Sequence, residues 1–245
     1  MLINSFKERQ VRADHKRRTL LHFLRDESWS SLSNLAGVAG LSEPAMFKTV
    51  CQMERDGFLL RHKVAQLRLS LWGITPKGLM FAWDEDEPME PRPHFEPSKL
   101  SIVTIHHYLD IQRARLAAER AGWSGWVPGN RLPKDIKKRP DAVATIPSGH
   151  RVAIEIERSI KTIKRYEAIF AAYLQMIKQG DYAMVHYVCP DAAFAPRLSR
   201  LFQLIQAVPV VGERVPITEK HRARFPVFAL ENWPPVAGGM DISIG

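Results

Sequence analysis

Apolar residues in the first part of the chain recur at helical spacing. Leu20, Leu21, Phe23 and Leu24 form a stripe that predicts a helix over residues 13–27, and Leu32, Leu35 and Ala36 predict a short second helix over 31–38. Gly40 ends that helix. Ser42 stands where it can cap the next one, with Pro44 in its first turn. Met46, Val50 and Met53, spaced i, i+4, i+7, share one face of a third helix reaching about residue 56, and Pro44, Lys48, Gln52 and Arg55 fall on the opposite face. Beyond Gly57, a C-cap, the period changes to two. Residues 58–60 enter a strand, 67–72 alternate as another, and Arg61, His62 and Lys63 are expected to form a basic hairpin between them. A small helix is expected over 78–83.

The second part of the chain opens on a long helical pattern over 100–123, followed by a loop containing Gly125, Pro128 and Gly129 and a basic run over 134–139. Two short apolar runs joined by Ser148-Gly149 predict a β-hairpin. A helix over 160–178, a strand at YAMVHYVCP, a helix over 192–207 and a late strand at RFPVFAL complete the order. Helix, strand, strand, helix, strand, helix, strand predicts an α/β domain with a mixed sheet, α+β for the chain as a whole.

Composition leaves this picture intact: 245 residues, 45% hydrophobic and 25% charged, are enough for one large globular domain or two modest ones. Charge adds a boundary. Residues 84–99 hold four consecutive acids and then four prolines, and are expected to be an acidic, semi-extended linker between domains at 1–83 and 100–245. Residues 1–83 carry 13 Lys+Arg against 7 Asp+Glu, and residues 101–245 carry 20 against 13. The formal net charge of +9 favours a polyanionic partner. Cys51 and Cys189 are too few for a disulfide framework or a zinc cluster. With no signal-like segment and no long apolar run, the expected location is cytoplasmic, without membrane insertion.

Candidate chemistry concentrates in residues 152–157. Val152, Ile154 and Ile156 point one way along the strand, and Ala153, Glu155 and Glu157 the other. Two carboxylates on one face of so apolar a strand are costly unless compensated. A divalent cation compensates them, and Asp141 can add a third carboxylate across the hairpin. Asp141, Glu155 and Glu157 are therefore candidate ligands for a divalent cation, the alternative being ordinary solvated carboxylates on a surface-facing edge strand.

"GLSEPAMFKTVCQMERDGFLLR" resembles the turn, recognition helix and first wing strand of winged helix-turn-helix proteins. That resemblance implies a DNA-binding module in which Lys48, Gln52 and Arg55 meet the groove and Arg61 and Lys63 meet phosphate. "RPDAVATIPSGHRVAIEIERS" resembles the core of the PD-(D/E)XK nucleases: Pro140-Asp141, a hairpin, then an acid-X-acid pair, Glu155 and Glu157. The usual lysine position holds Glu157, a departure that the family accommodates with a lysine from the following helix, here Lys161 or Lys164. Together with "IHHYLDIQRARL" and "KTIKRYEAIF", the chain resembles the replication-relaxation proteins and, within them, the MobC-class relaxases of mobilisable plasmids. The resemblance implies metal-dependent, strand-specific nicking of double-stranded DNA at an origin of transfer, in company with other mobilisation proteins. Asp141 and Glu155 would bind Mg²⁺ or Mn²⁺, hard cations that prefer oxygen donors, Glu157 would ligate the metal or orient its water, and Lys161 or Lys164 would steady negative charge or act as base.

Other signals weigh less. The nine histidines contain no His-X-His pair, the metal motif of tyrosine relaxases. His106 and His107 are adjacent on a helix and diverge, one expected as a capping or DNA-facing group and the other as partly core. Tyr166 and Tyr173, seven apart, share a helical face as packing residues would, and no Walker-type loop is present. A non-catalytic winged-helix regulator with a degenerate nuclease fold, and a restriction-type endonuclease, stand as alternative functions.

Overall fold

The computed structural model describes residues 6–235. The chain is mixed α+β, with eight α-helices among the described residues, and it divides into two compact units between Gln112 and Arg113. No helix among the described residues is long and apolar enough to cross a membrane.

The first unit contains α1 (Phe6–Glu27), β1 (Trp29–Ser31), α2 (Leu32–Ala39), α3 (Glu43–Arg55), β2 (Leu59–Val64), β3 (Leu69–Ile74), α4 (Pro76–Met80) and the start of α5 (Ile102–Arg120). The expected stripes are the core: Leu20, Leu21, Leu24, Leu35, Met46, Val50 and Met53 are buried. Ser31 caps α2 by accepting from the Asn34 amide, and Gly40 ends it in the left-handed region that favours glycine. Ser42 holds the N-cap position of α3 but makes no side-chain capping bond.

The sheet has three strands where two were expected, in the antiparallel order β1-β3-β2. A three-residue strand such as β1 is too short to show a period. Arg61, His62 and Lys63 lie within β2, paired with Trp72, Leu71 and Ser70, rather than at the hairpin tip. The tip is residues 65–68, closed by Arg68 in a left-handed conformation. The small helix begins at Pro76, two residues before the expected start, because the Thr75 side chain accepts from the Gly78 amide.

Residues 84–99, expected to be a linker, are tied to this unit. Arg25 donates to Ala82 O (2.9 Å) and to Glu87 (2.6 Å), and Arg18 pairs with Asp84 at 3.1 Å. Phe95 is buried against Val64, Leu71, Ile105 and Leu109, and its amide donates to Ile74 O. The boundary therefore moves from the acidic segment into α5, because one aromatic anchor and two arginines fasten that segment. A buried polar set joins α5 to the rest of the unit: Ser30 Oγ and Asn34 Nδ2 donate to Gln112 Oε1 (2.6 and 3.1 Å), and Gln112 Nε2 donates to Trp29 O (2.8 Å).

The second unit is built on five strands: β4 (Ser124–Pro128), β5 (Ala142–Thr145), β6 (Arg151–Ile156), β7 (Met184–Cys189) and β10 (Val227–Ala229). Their order is β10-β7-β6-β5-β4. The β4-β5-β6 pairings are antiparallel, and the β6-β7-β10 pairings are parallel. The sheet is mixed, as expected, with β4 where a loop was anticipated. Helices α6 (Ile163–Gln179) and α7 (Phe194–Gln203) pack onto it through Phe170, Tyr173, Leu198 and Phe202. A small hairpin, β8 (Ala207–Val210) with β9 (Glu213–Pro216), and the short α8 (Glu219–Arg222) complete the described residues and were not anticipated.

Candidate functional site

β6 lies in the middle of the sheet, so its alternation does not separate a core face from a solvated one. Val152 to Ile156 and Glu157 are all buried. Ala153 belongs to the core cluster of Tyr166, Phe170 and Tyr173. Glu155 and Glu157, on the same strand face as Ala153, thus lie beneath α6 rather than on a solvated edge.

Each glutamate is met by one lysine and one tyrosine. Glu155 Oε1 accepts from Lys138 Nζ at 2.5 Å and from the Tyr173 hydroxyl. Glu157 Oε2 accepts from Lys161 Nζ and, at 2.9 Å, from the Tyr166 hydroxyl. The tyrosines share a face of α6 at i, i+7, and the glutamates stand at i, i+2 in β6 and immediately after it, so two helical turns and one strand period repeat the same Lys-Glu-Tyr grouping. Packing was the expected role of Tyr166 and Tyr173, and both are buried. Their second role, as hydrogen-bond donors to carboxylates, depends on a helix-on-sheet meeting that spacing does not reveal.

Asp141 immediately precedes β5. Its amide donates to Ile154 O (3.0 Å), and its Oδ2 accepts from the Ile156 amide (2.7 Å). Its negative charge reaches Glu155. Burial, then Asp141, push the Glu155 carboxyl above the usual range, against the opposing pull of Lys138 and Tyr173. Tyr187 faces Glu155 across the β6-β7 ladder, and its buried hydroxyl has no hydrogen-bond partner among the described residues. Burial raises Tyr173, Tyr166 and Tyr187 above the ordinary phenol range, with the neighbouring carboxylates adding to it.

The expected site residues separate accordingly. Asp141 and Glu155 are neighbours. Glu157 is engaged by Lys161 and Tyr166. Among the described residues no three acidic, histidine or cysteine side chains form a group able to hold a metal ion, so the three carboxylates are not drawn into one ligand cage. The two candidate lysines do not share a helical face: Lys161 precedes the Thr162 N-cap, and Lys164 stands exposed in the first turn of α6. Lys161 reaches a carboxylate. Lys138 also does, although in the sequence it stands only within a basic run whose spacing does not say which cation folds inward.

Elsewhere, burial holds His186 neutral, with its pKa brought down to about 3, and its Nδ1 accepts from Trp233 Nε1 at 2.9 Å. Burial pushes the Cys189 thiol up to about 12. Of the adjacent histidines, His106 is exposed and His107 half-buried.

In the first unit, Lys48, Gln52, Arg55 and Lys63 are exposed, as a surface meeting a partner requires. Gln52 bridges Arg55 and Asp56. Arg61 is half-buried, bonded to Ser70 Oγ (3.2 Å) and lying over the Phe47 and Trp72 rings, so part of its side chain is already committed to packing. Arg68, at the exposed hairpin tip, is a further cation outside the expected set. Comparison of the chain with family models and with curated protein sequences finds no match.

Proposed function

We propose that this chain is a DNA endonuclease whose first unit holds the duplex and whose second unit hydrolyses a phosphodiester with the help of a divalent metal. The observation that carries the reading is the placement of Asp141, just before β5, near Glu155 of β6, with Lys138 against Glu155. A carboxylate whose pKa is raised by burial and by a like charge sits where a cation or a transferred proton lowers its energy. The unpartnered buried hydroxyl of Tyr187 beside these charges, and an all-oxygen donor set, fit Mg²⁺ or Mn²⁺ at Asp141 and Glu155. Such an ion supplies Lewis acidity and a more acidic bound water. Lys138 and Lys161 place positive charge at the same strand. Glu157 positions Lys161.

Two architectural features agree with this reading. The first unit combines α1, α2 and α3 with a small antiparallel sheet and an exposed polar face on α3, an arrangement consistent with a winged helix-turn-helix. The second runs α5, three antiparallel strands, α6 and a parallel strand, with acids at the PD-(D/E)XK positions. The finer reading, a relaxase that nicks one strand at a plasmid transfer origin alongside other mobilisation proteins, rests on the sequence resemblance.

The test is nicking of supercoiled plasmid with Mg²⁺ or Mn²⁺. Asp141→Asn and Glu155→Gln should each abolish the nick while duplex affinity stays within about twofold, and the nicked strand should carry no covalently joined protein after denaturation. A second reading, a non-catalytic DNA-binding regulator, is favoured by the lysine and tyrosine already neutralising each glutamate. Duplex binding without nicking of any plasmid, including one bearing the cognate transfer origin, selects it.

A further inference from the structure

The exposed face of α3 does not end the basic surface of the first unit. A groove of about 430 Å³ separates α3 from α1, lined by Arg9, Arg12, Lys16 and Arg17 of α1 and by Lys48 and Gln52 of α3. One acid, Asp56, reaches its edge, and that carboxylate already accepts from Gln52. Arg17 is paired with Asp14 at 2.8 Å, whereas Arg9, Arg12, Lys16 and Lys48 have no ion pair among the described residues.

Helix α1 is built for two environments. Its second half carries the buried Leu20, Leu21, Phe23 and Leu24, but residues 6–15 are exposed throughout. Arg9, Arg12 and Lys16 follow at i, i+3 and i+7 on one side of this overhang, where like charges a turn apart oppose helix formation unless an anion lies between them. From Arg9 to Lys16 the helix rises roughly 10.5 Å, about three times the axial rise per phosphate of one strand of a duplex. The overhang offers only Phe6 and Val11 as large exposed apolar residues, too few to seat an amphipathic helix in a lipid interface.

We propose that the α1–α3 groove seats the sugar-phosphate backbone of duplex DNA, with Arg9, Arg12, Lys16 and Lys48 as its phosphate ligands. This deepens the DNA-binding reading of the unit and rests on it. Because phosphate contacts position without reading sequence, the groove contributes equally to every duplex.

The full chain carrying Arg9→Gln, Arg12→Gln and Lys16→Gln tests this by fluorescence anisotropy on two duplexes of unrelated sequence. Circular dichroism serves as the folding control, and exchange of the same arginines for lysine as the rescue. Affinity should fall by roughly tenfold or more on both duplexes, the log–log salt slope should become shallower by about 3, and the rescue should restore both. Unchanged affinity and slope overturn the groove. If Arg55→Ala with Lys63→Ala still weakens binding in that case, the DNA reading survives without it. Loss confined to one duplex overturns the phosphate assignment. A wild-type chain with no salt-sensitive affinity for any duplex overturns groove and DNA reading together, as does tight retention on phosphatidylserine vesicles without duplex binding.

Discussion

In the first unit Lys48, Arg55 and Lys63 stand in solvent. In the second, Glu155 and Glu157 are buried at the middle of a sheet, each held by a lysine and a tyrosine. Exposed charge is cheap to keep and contributes little to folding, so it remains available to a partner. Buried charge is costly, and every compensating group must be in place. Stability and binding should therefore respond oppositely to substitutions in the two regions.

The largest expected effect is at Lys138. Lys138→Met leaves Glu155 buried beside Asp141 without its cation and should cost roughly 2–4 kcal/mol in urea unfolding at neutral pH. The low part of the range for broken buried pairs is expected because Lys138 keeps 26% of its side chain exposed. A cost below about 0.5 kcal/mol would erase the contrast between the units.

Next come the tyrosines. Tyr173→Phe and Tyr166→Phe each remove one donor from a buried carboxylate and should cost about 1–3 kcal/mol, with far-ultraviolet circular dichroism unchanged. A smaller penalty at Tyr187→Phe, whose hydroxyl has no partner to lose, would sharpen the point.

A pH series tests the same centre more finely. The Glu155 carboxyl is raised in the folded chain, so its contribution is fully present below the ordinary glutamate range near 4.5 and is lost as pH rises through the raised value. Glu155→Gln should therefore gain stability relative to the wild type between pH 4.5 and pH 8. A difference that is flat with pH would mean that the carboxyl titrates normally.

The smallest effect belongs to the first unit. Lys48→Ala and Arg55→Ala should each change folding stability by no more than about 0.5 kcal/mol. In gel-shift titrations they should nevertheless weaken duplex binding. A stability loss matching that at Lys138 would show these cations to be structural.

What the sequence revealed follows the same divide. Where a period runs long enough, as at Met46, Val50 and Met53, it located both the element and its buried side, whereas along β6 it located the strand alone, because both faces are buried. It placed Arg61 and Lys63 at a turn because a basic triplet between apolar runs looks like a loop, whereas the pairing with β3 makes it strand. β1, β4 and the β8-β9 hairpin are too short or too irregular to leave a period. The carboxylates Glu155 and Glu157 were visible from their cost in an apolar strand, and Asp141 from its place across the hairpin. Lys138 and the tyrosine hydroxyls were not, because their partners lie 9 to 18 positions away and meet them only once β5 pairs with β6, for Lys138, and α6 docks on the sheet, for the tyrosines.

Gly129 has a consequence for anyone mapping tolerance to substitution across this chain. Its amide donates to Asp141 O at 2.7 Å, and a Cβ at that position would collide with the Pro140 carbonyl oxygen. Any side chain there must push the Pro140-Asp141 backbone away from β4 and carry the Asp141 carboxylate with it. In a saturation screen scored by activity, this glycine would rank beside the acidic residues themselves, although it has no functional group to offer. Comparing its alanine variant with Asp141→Asn in a screen scored by folding alone would separate the two: the glycine would fail both screens, and the aspartate chiefly the first.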